Sequence, residues 1–152
     1  MDDATSTAKL VRQRHQVQDV AATLEAAVQR RWPGEVMAGA GRYRPCRSSG
    51  PNTFESFQFE YTGRFEPAPG TTVSLTALTG DDVPVFGEVV AIPGAQRVTG
   101  VAPPVEGGDE QIDVTVDHRI DGPTQWLVLA VRGACVEVPP ERSDYWLTEA
   151  DG

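Results

Sequence analysis

Thr53-Phe54-Glu55-Ser56-Phe57-Gln58-Phe59-Glu60-Tyr61-Thr62-Gly63-Arg64-Phe65 decides the fold class, because it alternates with a period of two: Phe57, Phe59 and Tyr61 on one face, Gln58, Glu60 and Thr62 on the other. A strand that is apolar on one side belongs to a sheet with one buried face. That face needs a cover, and the simplest one lies upstream. Leu10, Val17, Ala21, Leu24 and Val28 recur at helical spacing, with Val20, Ala27 and Val11 widening the stripe. Arg30 and Arg31 complement the negative end of a helix dipole, and Pro33-Gly34 stops the helix after Trp32. A helix over residues 7–32 is expected, preceded by a disordered lead-in over residues 1–6.

The remaining elements read mainly as sheet. A strand over 35–45 precedes the aromatic strand, with a turn at Ser48-Ser49-Gly50-Pro51-Asn52. Three more strands are expected at 95–102, 110–118 and 124–133, the last two joined by a hairpin at Asp121-Gly122. Ile112, Val114 and Val116 point inward, Asp113, Thr115 and Asp117 outward. Trp126 to Val131 is apolar on both faces, which places that strand centrally or covers it on both sides. Residues 66–95 are harder to read. Asp81-Asp82-Val83-Pro84 has the acidic residues and first-turn proline of a helix start, against the β-branched content and Gly87 that follow, and a short helix over 81–91 is the favoured reading. Pro103 to Glu110 is a polar loop within one domain. The fold class is therefore α+β, a two-layer sandwich with a long N-terminal helix packed on a mainly antiparallel sheet of about five strands. Residues 7–138 form the single domain and 139–152 a C-terminal tail.

At 152 residues and 39% hydrophobic content, the chain can bury roughly two-thirds of its unfolded surface without a staple. A net charge of -9 opposes the basic footprint needed on nucleic acid or anionic membranes unless the cations are strongly localised. Twelve of the thirteen basic residues are arginine, Lys9 being the exception, and with abundant Ala, Val, Gly and Pro this is the signature of GC-rich bacterial coding. No run of about eighteen apolar residues is present, so no membrane-spanning segment is expected. Met1-Asp2-Asp3-Ala4 lacks the basic start and apolar run of an export signal. Either the protein is cytoplasmic or Met1 opens a mature domain, and the cysteines favour the second.

Cys46 and Cys135 lie 89 positions apart, and neither His15 nor His118 adds metal-ligand spacing, so no metal or cofactor is expected. A structural disulfide is the favoured reading, with two unpaired cysteines or a reactive thiol as alternatives. Arg42, Arg44 and Arg47 would lower the Cys46 pKa, but no neighbouring base and orienter complete a catalytic thiol. Asp81, Asp82, Glu88, Glu106, Asp109 and Glu110 are candidates for acid-base work or calcium, but they match no calcium loop and read more simply as solvated. Ser48, Ser49 and Ser56 lack a nucleophile-elbow setting. Both histidines read as surface residues. Catalytic residues are therefore not assigned. The tail bearing Tyr145 and Trp146 is expected to pack back on its own domain, and otherwise the two are aromatic anchors; the binding candidates are therefore Tyr145, Trp146, Arg42 and Arg44.

A long helix, a strand ending in cysteine, the run Phe54-Glu55-Ser56-Phe57-Gln58-Phe59-Glu60-Tyr61 and a closing strand Leu129-Ala130-Val131-Arg132-Gly133-Ala134-Cys135-Val136 together resemble the small secreted proteins and lipoproteins of actinobacteria, of which the mycobacterial LppA-type lipoproteins are one example. The resemblance covers residues 10–138 and rests on layout, the two cysteines and composition. It implies a compact domain outside the cytoplasmic membrane, tethered by a lipid on an N-terminal cysteine. No cysteine precedes Cys46, so such an anchor either lies outside this sequence or does not exist. The family carries no agreed activity. The expected function is a non-catalytic extracytoplasmic binding domain, monomeric, with a protein or small-molecule ligand. A small acid-base hydrolase and a cytoplasmic acidic partner protein of the immunity type are the alternatives.

Overall fold

A computed structural model describes residues 3–50, 53–78, 85–102 and 111–149. Helix α1 (Asp3–Arg31) carries the expected stripe, with Leu10, Val17, Ala21, Leu24, Ala27 and Val28 buried and Val11 left outside it. It starts earlier than residue 7. The reason is Ser6, buried in the first turns, whose hydroxyl donates to the Glu137 carbonyl at 2.7 Å and ties the helix start to the end of the sheet.

Strands β1 (Gly34–Gly50), β2 (Thr53–Pro67), β3 (Val85–Ile92), β4 (Ala95–Ala102), β5 (Ile112–Asp121), β6 (Thr124–Arg132) and β7 (Val136–Glu137) form one sheet in the order β1-β2-β6-β5-β4-β3, with β7 also paired to β2. Every ladder is antiparallel. The sheet thus combines the β1–β2 hairpin with a four-strand meander that begins at the far edge and returns to lie beside β2. β6 is central, as its two apolar faces require.

The sheet has seven strands among the described residues, against an expected five or so. One addition is β3, which replaces the helix expected over 81–91. Its pairing with β4, from Val85↔Val101 to Ile92↔Ala95 with a bulge between Phe86 and Val89, gives the β-branched run a partner that no local signal revealed. Asp81 to Pro84 lie outside the described residues, as do Pro51 and Asn52 of the expected turn and the loop over 103–110. The other addition is β7, two residues long and too short to show a period. β1 continues past residue 45 to Gly50 because it stays paired with β2 as far as Gly50↔Thr53.

The core lies on one face of the sheet. Phe57, Phe59 and Phe65 from β2, Leu127, Leu129 and Val131 from β6, and Val114 and Val116 from β5 are buried there. α1 packs chiefly on β2 and β6, while a 3-10 turn at Leu75–Leu78 meets β3 and β4 with both leucines buried. The C-terminal segment runs through a second 3-10 turn (Pro140–Arg142) into helix α2 (Ser143–Glu149), which packs on β1 and β2. No helix among the described residues is long and apolar enough to cross a membrane.

Candidate functional site

Cys46 and Cys135 form a disulfide, with Cα atoms 6.2 Å apart, and no free cysteine remains for thiol chemistry. Its placement follows from two ladder irregularities. β1 bulges between Pro45↔Phe57 and Arg47↔Ser56, which turns Cys46 out of register. On the other side of β2, residues 133–135 form the gap between β6 and β7. Both cysteines are exposed.

The same gap is filled from below by α1. Phe59 N–H, which has no strand partner there, donates to Gln13 Oε1 at 2.6 Å, and Gln13 Nε2 donates to the Ala134 carbonyl at 2.6 Å. Gly133 N–H donates to the Phe59 carbonyl at 3.0 Å. Residue 133 must be glycine for this, because a Cβ would run into the Gln13 side chain. Gln13 was not singled out from the sequence, yet it sits three residues after Leu10 and four before Val17, a polar group on the apolar stripe. A buried polar side chain of that kind needs a partner, and this was the readable signal.

The open face of the sheet carries the arginines. Arg42 stands opposite Glu60 in the β1–β2 ladder, while Glu60 is shared by Arg44 at 3.6 Å and Arg132 at 3.5 Å. Arg47 pairs with Glu55 at 2.8 Å, and a cleft of about 350 Å³ lined by these two residues, Glu137 and Val138 adjoins them. Pairs this exposed add about 0–1 kcal/mol each, so they shape a polar surface more than they hold the fold. Farther along, Arg97 grips Asp117 with two hydrogen bonds of 2.7 and 2.8 Å and Arg119 approaches it at 3.6 Å. Asp117 does point outward as expected, but it is buried beneath its arginines. The hydrogen bonds to Asp117 push the Arg97 pKa up despite the opposing effect of burial. Arg64 lies over the Trp126 ring at 4.7 Å.

The two tail aromatics have different fates. Trp146 is 1% exposed and packs edge-on against Tyr43 with ring centres 4.9 Å apart, so it belongs to the core and is not a surface anchor. Tyr145 is 39% exposed, with Arg142 4.2 Å above its ring. The tail thus packs back on its own domain as favoured, and of the two candidate anchors α2 turns only Tyr145 outward.

His118 is not on the surface: it is 5% exposed, on the inner face at the end of β5. The alternation of Ile112, Val114 and Val116 continues directly to residue 118, and that parity is the signal a local reading overlooked. His118 Nε2 lies 2.9 Å from Gln125 Oε1, and Gln125 Nε2 donates to the Thr71 carbonyl at 2.6 Å. A hollow of about 380 Å³ opens beside it, lined by Val73, Gly94, Ala95, Gln96, His118 and Ile120. His15 is exposed on α1. Glu88 is exposed on β3, and the other acid-base candidates, Asp81, Asp82, Glu106, Asp109 and Glu110, lie outside the described residues. Among the described residues no three His, Cys, Asp or Glu side chains converge as metal ligands.

The searches of family models, curated proteins and solved structures found no match to this chain.

Proposed function

We propose that the chain is a non-catalytic binding domain of the secreted or lipoprotein type, a monomeric two-layer α+β sandwich that works outside the cytoplasm and meets its partner through the arginine-bearing face around Arg42 and Arg44. The observation that carries the reading is the Cys46–Cys135 disulfide. An exposed disulfide in a domain of ordinary size is at risk of reduction by cytosolic thiols but persists in an oxidising compartment. Beside it, Arg42, Arg44 and Arg132 surround one carboxylate, Glu60, and the Arg47–Glu55 cleft extends the same corner. Planar guanidinium groups on a fixed sheet suit a protein partner that presents carboxylates.

The compartment is tested on protein recovered from its native cells by intact mass before and after reduction, with thiol labelling under denaturing conditions. A gain of about 2 Da on reduction and no labelling before it are expected. Two labelled cysteines without reductant would sink the extracytoplasmic reading and favour the cytoplasmic acidic partner. The face is tested by capture from a cell-envelope extract with the wild-type chain and with Arg42→Glu/Arg44→Glu as baits. A partner held by the first and released by the second is expected, and identical capture by both would remove this face from the proposal.

A further inference from the structure

We infer that the hollow beside His118 is a small-molecule site, taking an uncharged ligand whose apolar body covers Ile120 and whose hydroxyl donates to Nδ1 of His118. His118 places an imidazole on the core face of a strand. A histidine buried beside Val114 and Val116 costs free energy unless its ring nitrogens find partners. One of them does. The Thr71 carbonyl is only an acceptor, so the Gln125 amide must turn its NH₂ toward it, which leaves Oε1 as an acceptor facing His118. His118 Nε2 therefore carries the proton, and in the neutral ring Nδ1 is left with a lone pair.

Nδ1 has no hydrogen-bond partner among the described residues. Nor is it sealed in the core, for the one fully enclosed side-chain polar atom without a partner there is Trp146 Nε1. The hollow that His118 lines is the place where a ligand reaches the ring, and with Nε2 engaged, Nδ1 is the atom the ring offers to it. The walls select the ligand's chemistry. Val73, Ala95 and Ile120 are apolar, Gln96 adds an amide, and among the described residues no Asp, Glu, Lys or Arg lines the space, so an ion entering it would lose hydration without a counter-charge from them. Ile120 is 61% exposed, a large apolar side chain that the chain itself leaves in water. The volume, about 380 Å³, is at the lower end of the range for small-molecule sites. A ligand of phenol or small-alcohol type satisfies all of these at once, whether or not the opposite face of the sheet takes a protein.

The test is an NMR titration of the whole chain with phenol at about pH 8. Shifts are read at the His118 ring nitrogens and the Ile120 methyl groups. Saturable binding in about the millimolar range is expected, with a larger change at Nδ1 than at Nε2. Benzene, benzoate and benzylammonium should each bind about tenfold more weakly, as should phenol to Gln96→Phe, a larger side chain at the ladder partner of His118 and on the same face. Ile120→Ser, at an exposed position, is the variant whose fold is least at risk, and it should also weaken phenol. Absence of saturation at about 20 mM phenol would overturn the inference. So would equal binding of benzene, which would make the hollow merely apolar, or phenol binding unchanged in both variants.

Discussion

The two ends of the sheet are finished in opposite ways. At one end the β2 ladder is interrupted, and its backbone groups find partners: Gln13 matches Phe59 and Ala134, Ser6 matches Glu137, the disulfide ties β1 to residue 135, and Trp146 packs over Tyr43 with its Nε1 enclosed and unmatched. At the other end, under the β3–β4 and β5–β6 turns, His118 has one nitrogen matched through Gln125 and Thr71, a hollow stands against it, and Ile120 is in water. The difference separates two uses of buried polar groups. Fully matched, they hold an irregular backbone in place; half-matched beside open space, they are where a ligand gains most.

The largest effects are expected at the closed end. Cys46→Ser/Cys135→Ser should cost about 4–5 kcal/mol in the chain-entropy account of so long a loop, read as a fall in the urea midpoint. A loss under about 1 kcal/mol would show that the noncovalent ties suffice. Trp146→Ala should cost about 3–5 kcal/mol, as removal of a fully buried indole does. If its effect were near zero, α2 would not be part of the folded unit. Gln13→Leu leaves Phe59 N–H and Ala134 C=O without their partner, at about 1–3 kcal/mol for each group. Hydrogen exchange at Phe59 should accelerate in this variant while exchange in β4 stays unchanged.

A smaller effect comes from Tyr61, whose hydroxyl donates to Glu25 on α1 at 2.8 Å. Burial first, then the hydrogen bond and charge of Glu25, push its pKa up from 10.0 to about 12. The folded state therefore favours the protonated phenol. Its contribution is complete below about pH 10 and is lost as pH rises through about 12, the direction required when a folded pKa is raised. Stability measured against pH should fall across that window in the wild type, and the Tyr61 component of the fall should vanish in Tyr61→Phe. The smallest effect belongs to the open end. Ile120→Ser should change stability by no more than about 0.5 kcal/mol, since its side chain is mostly in water. A large loss there would mean that the two ends are equally committed to the fold.

The elements were legible where a period was sustained. The stripe of α1, the alternation of β2 and the apolar β6 each set their own type, and 95–102 matches β4 to the residue. Val85–Ile92 was not legible, because its apolar content suits a helix or a strand and only pairing with β4 decides. For the sites, the disulfide was readable from two cysteines flanking the sheet. Gln13 and His118 left signals in their parity that carried no meaning without a partner. Trp146 left none, since a terminal aromatic reads the same whether it anchors a partner or fills its own core.

By itself, then, the sequence determined the type of each element with a sustained period and the one-sided burial of the sheet, consequences of local period, and it favoured the pairing of the cysteines. Tertiary structure decided the number of strands, the plug at Gln13, the burial of Trp146 and the half-matched His118. Each of these depends on a group far away in the chain, and the free energy of a buried polar or aromatic side chain is set by the partner it finds there.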